Sequence, residues 1–471
     1  MAAPANIIRP PGPPHRPFLG HLFSFRRDAP EFLFDAGARY GDIVYFRLGP
    51  QHIYLLNHPD YVKEVLVTQQ SKFIKSRILQ RSKILLGEGL LTSEGDLHLR
   101  QRRLVQPAFH RDRLAGYGAT MIACATRAGD RWRPGETLDV AHEMTRLTLA
   151  IVAQTLFSAD VEAEAAEIGQ AMTDILGLFN MLVMPFSELL QKLPLPAIRR
   201  FERARGRLDA TIYKIIHERR ASGEDRGDLL SMLLLAQDED SSGGMSDRQV
   251  RDEALTLFLA GHETTSNALT WTWYLLSQHP EAEERMRAEL RRVLGGRPPT
   301  AGDLPLLTDT GRIFSEALRL YPPAWAIGRM AAVDCEVAGY TIPAGSILLA
   351  SPYVMHRDPR YFPDPHRFDM DRWTPEEAAK LPKFAYFPFG GGARTCIGDR
   401  FASMEGVLLL ATLAQRWRLK LVPGHPVAHR AVITLRTKHG MKMTVHSATA
   451  PGETHPPNSI AAAHPDSPPS R

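Results

Sequence analysis

The sequence predicts a mostly α-helical protein with a small β-rich part, folded as a single domain. Helical periodicity dominates from about residue 60 to about residue 330, and this stretch includes one long apolar helix. Short strand-like segments with alternating polarity lie before and after the helical stretch. The length of 471 residues would allow about three domains, but large single-core folds exceed that rule. No internal repeat divides the chain.

In chain order, the first predicted elements are two strands, at residues 43–48 and 52–56, around the turn Gly49-Pro50. The helical stretch that follows is interrupted by prolines. These breaks lie at Pro107, Pro134, Pro185 and Pro194-Leu195-Pro196. Short strands return after Pro322-Pro323, at about residues 329–333 and 339–342, and a last helix is predicted at about residues 399–413.

Composition and charge favour an ordinary globular protein. Hydrophobic residues make up 44% of the chain and charged residues 23%, and the net charge is +5. This mild excess, without a recognisable motif, gives no reason to expect a nucleic-acid partner. The three cysteines show no paired spacing, so we expect a reducing compartment, the cytoplasm.

The two ends of the chain are expected to lie outside the domain. Residues 1–9 are a short tail without the roughly 20 apolar residues that a membrane anchor requires, and no signal peptide is recognisable. Pro10-Pro11-Gly12-Pro13-Pro14 then forms a stiff, polyproline-like start. Residues 447–471 are rich in Pro, Ala, Ser and His and are expected to be disordered. The domain is therefore predicted to span residues 10–446.

A glycine-rich loop carries the most informative cysteine. Phe389-Gly390-Gly391-Gly392-Ala393-Arg394-Thr395-Cys396-Ile397-Gly398 presents one thiolate from one side, and its glycines let the backbone pass close to a flat ligand. Loop N–H groups can point at the sulfur and hold its charge. A phosphate loop would end in Gly-Lys-Ser/Thr, and zinc or an iron–sulfur cluster would need several nearby cysteines. Cys124 and Cys335 are interpreted as buried hydrophobic residues.

A capping box at Ser246-Asp247-Arg248-Gln249 opens the long helix, which should end at Gln278 before His279-Pro280. Its flanks are apolar on all sides, whereas its centre contains Gly261 and Glu263, which both carry a cost in a buried helix. A functional site at the centre explains that cost. The alternative is a polar groove in which the threonines bond back to the preceding turn.

The cysteine loop resembles the haem-binding signature of the cytochromes P450, with matches at Phe389, Gly392, Arg394, Cys396 and Gly398. The resemblance covers about residues 10–445. It implies the P450 fold, haem b as the cofactor and Cys396 as the axial thiolate. It also implies that Arg394 pairs with a haem propionate, and an arginine beside a buried anionic centre independently needs an anion to bind.

The centre of the long helix resembles the P450 oxygen-activation motif. The residues that carry this resemblance are Ala260, Gly261, Glu263 and Thr264. It implies that Gly261 makes room for O₂, that the Thr264 hydroxyl binds the oxygen and positions a water, and that Glu263 relays protons from solvent. His262 is expected on the outer face of the helix rather than as a ligand.

Further basic residues resemble haem-propionate and scaffold positions of the family. His98, Arg102 and Arg329 are assigned to the propionates, although His98 could instead be a solvated surface histidine. The pattern Glu-x-x-Arg at Glu316 and Arg319, with Pro365-His366-Arg367-Phe368, implies a buried network of Glu316, Arg319 and Arg367 that supports the cysteine loop.

The resemblance implies a monooxygenase that inserts one oxygen atom of O₂ into a hydrophobic small molecule. Because nothing beyond residue 445 could house a flavin or iron–sulfur domain, the electron donor should be separate, a ferredoxin or flavodoxin with its reductase. An acidic donor could dock on a basic patch, for which a solvated face is the alternative. Its members are Arg100, Arg102, Arg103, Arg111 and Arg113.

The substrate is expected to be terpenoid-like or otherwise lipophilic, because the predicted pocket walls are apolar and no basic residue stands out as a carboxylate anchor. These walls are residues 84–91, 176–184 and 324–327 and the long helix near Phe258 and Ala260, with Phe179, Met181, Met184 and Trp325 as lining. The alternatives are a fatty-acid hydroxylase, a peroxide-driven enzyme and a non-catalytic haem-binding sensor.

Overall fold

The computed structural model describes residues 8–14, 18–158, 195–238 and 241–448. The predicted break at Pro185, the pocket segment 176–184 and the residues 449–471 of the predicted C-terminal tail lie outside these ranges. The described part contains many helices and several small sheets, which confirms the predicted mostly α-helical class with a small β-rich part.

The α-helices of the described residues fall between Leu22 and Ala414. They are α1 (Leu22–Arg27), α2 (Ala29–Tyr40), α3 (Pro59–Lys63), α4 (Arg77–Arg81), α5 (Lys83–Leu86), α6 (Gly95–Val105), α7 (Arg111–Arg131), α8 (Val140–Phe157), α9 (Pro196–Ser222), α10 (Leu229–Leu235), α11 (Asp247–Gln278), α12 (Pro280–Leu294), α13 (Thr308–Leu320), α14 (Pro352–Met355), α15 (Pro375–Ala378) and α16 (Asp399–Ala414). Helix α16 confirms the predicted last helix.

The strands are short. They are β1 (Ile43–Leu48), β2 (Gln51–Leu56), β3 (Phe73–Lys75), β4 (Thr137–Asp139), β5 (Gln237–Asp238), β6 (Ser241–Gly244), β7 (Ile327–Ala331), β8 (Cys335–Val337), β9 (Tyr340–Ile342), β10 (Ile347–Ala350), β11 (Trp417–Leu421), β12 (His429–Ala431), β13 (Leu435–Thr437) and β14 (Lys442–Ser447). The largest sheet has the order β1-β2-β10-β7-β3, in which only the β2–β10 pair is parallel.

The two strands predicted near the N-terminus form the hairpin β1–β2, with Ile43 opposite Leu56. Side chains alternate across a strand, so one face of this hairpin packs on α2 and the other on the core beneath the sheet. The returning strands correspond to β7 and β9. Of the further small sheets, β12-β13 is formed by the C-terminal part of the chain, and β11-β14-β4 combines two C-terminal strands with β4.

Helix α11 is the central element. The Ser246 hydroxyl accepts the Gln249 N–H and the Gln249 side chain accepts the Ser246 N–H, so the predicted capping box is present. The helix ends at Gln278, as predicted, and its rise of 1.5 Å per residue gives a length of about 50 Å. It packs on α8, α9, α13 and α16, which bury most of its side chains. None of the described helices combines the length and apolar character needed to span a bilayer.

Candidate functional site: a cysteine loop beside the central helix

The cysteine loop lies between α15 and α16, and its backbone directs hydrogen bonds at the cysteine. The Cys396 N–H donates to the Phe389 carbonyl over 2.9 Å. Burial raises the pKa of the Cys396 thiol, and the Gly398 N–H, which is directed at the sulfur, partly opposes that rise. The Cys396 residue is exposed, and it lines a largely apolar cavity. Of the loop N–H groups expected at the sulfur, the Gly398 N–H is the one that acts to lower the pKa of the thiol.

The glycines of this loop are required by close packing against the rest of the protein. Gly392 has φ +70°, and a Cβ atom there would lie 1.9 Å from the Leu66 carbonyl oxygen. A Cβ atom at Gly391 would lie 2.2 Å from the Phe384 ring. Protein atoms thus explain both glycines without a ligand. At Gly398 the corresponding distance, to the Phe109 ring, is 3.6 Å, which leaves room for a side chain.

We expect Gly392→Ala to lower the free energy of unfolding by more than about 3 kcal/mol, because it adds a backbone clash to an unfavourable φ. Gly424→Ala is the matched control, since Gly424 has φ +75° and no atom within 4 Å of the added Cβ. Its cost should be about 1 kcal/mol. Urea unfolding monitored by circular dichroism measures both. Equal costs for the two variants would mean that the contact with Leu66 does not constrain the loop.

An internal cavity brings the cysteine loop and the centre of α11 together. Cys396 and Gly398 line one side of it, and Ala260, Gly261 and Thr264 line another. Most of the remaining wall is apolar. It includes Phe109, Tyr117, Val152, Leu257, Ile397 and Phe401. The structure therefore places the predicted metal ligand and three of the four predicted oxygen-activation residues, all except Glu263, around one apolar space.

Two residues of the helix centre have local packing roles that the sequence did not reveal. A Cβ atom at Gly261 would lie 3.0 Å from Val152 Cγ2, so Gly261 allows α8 to approach α11 closely. The Thr264 hydroxyl donates to the Ala260 carbonyl over 2.8 Å. The alternative interpretation of the helix centre, a polar groove, also predicts this bond to the preceding turn. However, the space that Thr264 faces is apolar, so it is not a polar groove.

Glu263 is directed toward the C-terminal hairpin. Its carboxylate accepts Arg436 Nε over 2.8 Å and Arg436 Nη2 over 2.5 Å, and it also accepts the Thr434 hydroxyl. Glu263 is 7% exposed, while the Arg436 side chain is half-exposed. Among the described residues, no hydrogen bond joins Glu263 to Thr264. The acid and the hydroxyl are neighbours in sequence but face different partners.

The expectation that His262 lies on the outer face of the helix is wrong. The side chain is 4% exposed, and its Nδ1 lies 2.9 Å from the Phe258 carbonyl oxygen. The Thr148 hydroxyl of α8 donates to the His262 carbonyl over 3.0 Å. Helix α8 covers this face, so His262 is a packing residue, and it does not line the cavity.

His98 is buried, which excludes the solvated surface interpretation. It is 3% exposed, and burial together with the charge of Arg394 and other neighbouring cations lowers its pKa to about 3. Arg102, one turn later on α6, donates to the Thr395 carbonyl of the cysteine loop over 2.8 Å. His98 and Arg102, two of the four residues predicted for propionate binding, therefore lie at the cysteine loop.

A buried basic cluster surrounds His98. Burial and the charge of Arg329 lower the pKa of Lys75 to about 7, and burial lowers that of Arg329 to about 10. Burial also lowers the pKa of Arg394, which donates to Ser93 O over 2.7 Å and pairs with Glu94. The sequence analysis missed Lys75, because a lone lysine in a short strand gives no signal of convergence.

The excess of positive charge in this cluster indicates whether the residues present fit haem. Glu94 is the carboxylate that raises the pKa values of Lys75, Arg329 and Arg394, so one acid faces three cations. Crowded buried cations with lowered pKa values are stabilised by added anions. A group with two carboxylates, such as the propionates of haem, would meet this need beside the Cys396 loop. The donor set therefore fits the predicted cofactor.

The predicted scaffold network is correct for two of its three members. Glu316 and Arg319 are both 0% exposed and are joined by two hydrogen bonds of 2.7 and 2.8 Å. Arg319 also donates to the carbonyls of His356, Pro365 and Arg367. It thereby ties α13 to the segment that precedes the cysteine loop.

Arg367 is not the third charged member. Its side chain is exposed, and only its carbonyl meets the network. Arg372 instead approaches Glu316, with its Nε 3.6 Å from Glu316 Oε1, and Trp373 Nε1 donates to Glu316 over 3.0 Å. The correction has a physical reason: the 3₁₀ turn of residues 370–373 packs on α13 and turns Arg372 and Trp373 inward.

The predicted pocket walls and basic patch are seen in part. Residues of the segment 84–91 pack with Phe258 in one apolar cluster, but Trp325 packs beside Phe25 near β1 and does not line the described cavity. Arg103 and Arg113 are exposed, whereas Arg100 and Arg102 are half-buried. The Arg111 side chain lies outside the described part. Cys124 and Cys335 are buried and free, as predicted.

Comparisons with known proteins agree with this site. A family model described as Cytochrome P450 matches residues 10–441. Cyclooctatin synthase of Streptomyces melanosporofaciens is 44% identical over 422 residues, which cover 89% of this chain and 92% of that protein. Pentalenene oxygenase of Streptomyces avermitilis is 38% identical over 440 residues, which cover 93% of this chain and 97% of that protein.

A solved structure shows the same fold. The crystal structure of the cytochrome P450DA heme domain matches with a TM-score of 0.85 at 28% identity, and the match covers 94% of this chain and 98% of that one. The family match spans nearly the whole chain, and the cysteine loop faces the centre of α11 across one cavity. This chain is a monooxygenase that belongs to the cytochrome P450 family.

Proposed function

We propose that the enzyme hydroxylates or otherwise oxidises a terpenoid, with haem b held by the Cys396 thiolate. The haem would take the Cys396 side of the cavity, and the apolar wall at Val152, Leu257 and Ala260 suits a lipophilic substrate. The terpenoid class is supported by the names of two relatives, cyclooctatin synthase and pentalenene oxygenase. When bound, the haem supplies the chemistry that inserts one oxygen atom of O₂ into the substrate and releases the other as water.

Residues of the cysteine loop and of the basic cluster bind that cofactor and balance its negative charges. Cys396 provides the sulfur ligand, and the Gly398 N–H stabilises the negative charge on it. His98, Arg102, Arg329 and Arg394, with Lys75, bind the two propionates. Propionate binding would restore the balance of this cationic cluster, and Arg394 would then exchange part of its contact with Glu94 for a propionate.

Glu263 and Thr264 take part in the delivery of protons from solvent to the cavity. The ion pair with Arg436 places the Glu263 carboxylate beside a half-exposed side chain, where solvent water can protonate the carboxylate while the guanidinium keeps its own proton. For delivery, the Glu263 carboxyl turns from Arg436 toward Thr264. The Thr264 hydroxyl already donates to Ala260, so its oxygen can accept a hydrogen bond from a water in the cavity.

Electrons come from a separate ferredoxin or flavodoxin. Exposed arginines near α6 and α7, Arg103 and Arg113, offer positive charge for an acidic donor. The three cysteines are free and include no disulfide pair, which suits a reducing compartment such as the cytoplasm.

The observation that carries this proposal is the position of Cys396, which faces the helix centre across an apolar cavity. Reduction of the purified holoenzyme under carbon monoxide should give the long-wavelength Soret band from which the family takes its name. Cys396→Ser should abolish that band and turnover, while Cys335→Ser, a change at a buried cysteine elsewhere, should keep the band. A wild-type band at the shorter wavelength typical of haem without thiolate would contradict Cys396 as the ligand.

A further inference from the structure

Two polar side chains of α11 are buried with an atom that lacks a partner. Glu253 is 0% exposed; its Oε2 accepts the Leu90 N–H over 3.0 Å, but its Oε1 has no hydrogen-bond partner among the described residues. Thr256, which is 4% exposed, has a hydroxyl that likewise finds no partner in the described part of the chain. Buried polar atoms normally have partners, so this pair points to a missing one.

Both groups lie beneath the same loop. Thr256 follows Glu253 by three residues, so the two side chains are neighbours on the helix surface. A Cβ atom at Gly89 would lie 2.2 Å from Thr256 Oγ1, and one at Gly87 would lie 2.1 Å from the Asp252 carboxylate. The loop backbone at residues 87–90 therefore rests directly on α11. This loop belongs to segment 84–91, one of the predicted substrate walls.

Glu253 also shares a helix face with the cavity. It precedes Ala260 by seven residues and Thr264 by eleven, so all three lie on nearly one line along α11. The rise from Ala260 back to Glu253 is about 10 Å, which is comparable to the length of a polycyclic terpenoid. Leu257, between them, lines the cavity. Thr256 flanks this line. The unpartnered atoms thus lie beyond the N-terminal end of the cavity wall.

The surroundings of Glu253 favour its protonated form, which can donate a hydrogen bond. Burial raises its pKa to about 8, and the negative charge of Asp252 adds to that rise. Nearby cations are engaged elsewhere, since Arg251 bonds Asp209, Asp252 and the Leu85 carbonyl, and Lys83 pairs with Glu88. A neutral carboxyl beside a threonine hydroxyl offers both a donor and an acceptor to one small polar group.

We propose that Glu253 and Thr256 form a subsite that binds a hydroxyl group of an otherwise apolar terpenoid. This inference rests on the proposed function and narrows the substrate to a terpenoid alcohol. Neither atom is open to solvent, so the loop at Gly87–Leu90 must part from α11 to admit the hydroxyl. At Gly87 and Gly89 the loop presents only backbone atoms to α11. The substrate would come from a reaction that has already placed a hydroxyl group on the carbon skeleton.

Imidazoles with alkyl tails test the subsite in the holoenzyme, because imidazole binds haem iron and its absorbance shift reports binding. Pairs of 1-alkylimidazoles with a terminal methyl or a terminal hydroxyl, with chains of roughly 8 to 16 Å, bracket the rise along α11. At one chain length the hydroxyl should improve wild-type affinity roughly tenfold. Thr256→Val should reduce this gain to about twofold or less, and Glu253→Leu should remove it.

Two further variants show that the effect is local. Thr272→Val removes a buried hydroxyl that donates to Ala268 on the same helix, and it should keep the full hydroxyl preference. Glu253→Gln, whose amide also donates and accepts, should retain most of it. No hydroxyl preference at any length, or equal losses in Thr256→Val and Thr272→Val, would overturn the subsite. Absence of the absorbance shift with every imidazole would instead overturn the proposed haem-thiolate function.

Discussion

Arg319→Met is expected to lower the free energy of unfolding by about 3–5 kcal/mol. Methionine keeps much of the length of the side chain but removes the two hydrogen bonds that Arg319 donates to the fully buried Glu316 carboxylate. It also removes the donors that reach the carbonyls of His356 and Pro365, so α13 loses its tie to the segment that leads to the cysteine loop. Urea unfolding of the holoenzyme measures the change in the free energy of unfolding. The amount of haem retained after gel filtration shows whether the cysteine loop still binds it.

Arg367→Met and Arg372→Met are the matched controls for this network. Arg367 has an exposed side chain, so its replacement should change the free energy of unfolding by less than about 0.5 kcal/mol. Arg372→Met should have an intermediate cost, because Arg372 is half-buried and 3.6 Å from Glu316. A loss at Arg367 as large as that at Arg319 would contradict the network seen in the structure.

The error at Arg367 shows a limit of reading irregular segments. The chain contains two similar strings five residues apart, His366-Arg367-Phe368 and Asp371-Arg372-Trp373. A helix or strand has a period that indicates which residues face inward, but this segment has none. The short 3₁₀ turn decides which arginine reaches Glu316, and that turn forms through tertiary packing on α13.

Features with strong local signals were predicted well. The capping box and the apolar run define α11 at both ends, and the alternation around Gly49-Pro50 defines β1 and β2. The loop around Cys396 was recognisable because its residues are contiguous in sequence.

Partners that lie far apart in sequence were not predictable. Arg436, which binds Glu263, is 173 residues away in sequence, and Lys75 joins the basic cluster at the cysteine loop from a strand more than 300 residues earlier than Arg394. The spacing of Glu263 and Thr264 places them in one helical turn but does not determine where the carboxylate points. That direction depends on the hairpin β12–β13, which only the folded chain brings to α11.

The second large effect is expected from Glu405, a fully buried carboxyl on α16. Neither of its oxygens has a hydrogen-bond partner of normal geometry among the described residues. Burial raises its pKa to about 8 from 4.5, and the nearby Thr265 hydroxyl offsets only part of that rise. The folded state therefore holds this proton more tightly than the unfolded state. Its stabilisation is complete below the unfolded pKa, declines as pH rises above it, and is lost once pH passes the folded pKa.

Glu405→Gln removes this titration while keeping the shape of the side chain. Relative to the variant, we expect the free energy of unfolding of the wild-type enzyme to fall by about 1.4 kcal/mol for each unit of rising pH. Between about pH 6 and about pH 8 the total fall should be about 2–3 kcal/mol. The free energy of unfolding in urea, measured for both proteins at matched pH values, gives this difference. The subtraction cancels other titrating groups, including Glu253, whose raised pKa acts in the same direction from a different part of α11.

Glu284→Gln is the control for this pH dependence. A hydrogen bond from Arg291 lowers the pKa of Glu284, so its stabilisation is lost only as pH falls below the ordinary range of a glutamate. Between about pH 6 and about pH 8 it is ionised in both states, and its difference from the wild type should stay constant. A constant difference for Glu405→Gln as well would mean that the folded protein stabilises the Glu405 charge. The carboxylate would then need a partner beyond Thr265, because burial alone opposes ionisation.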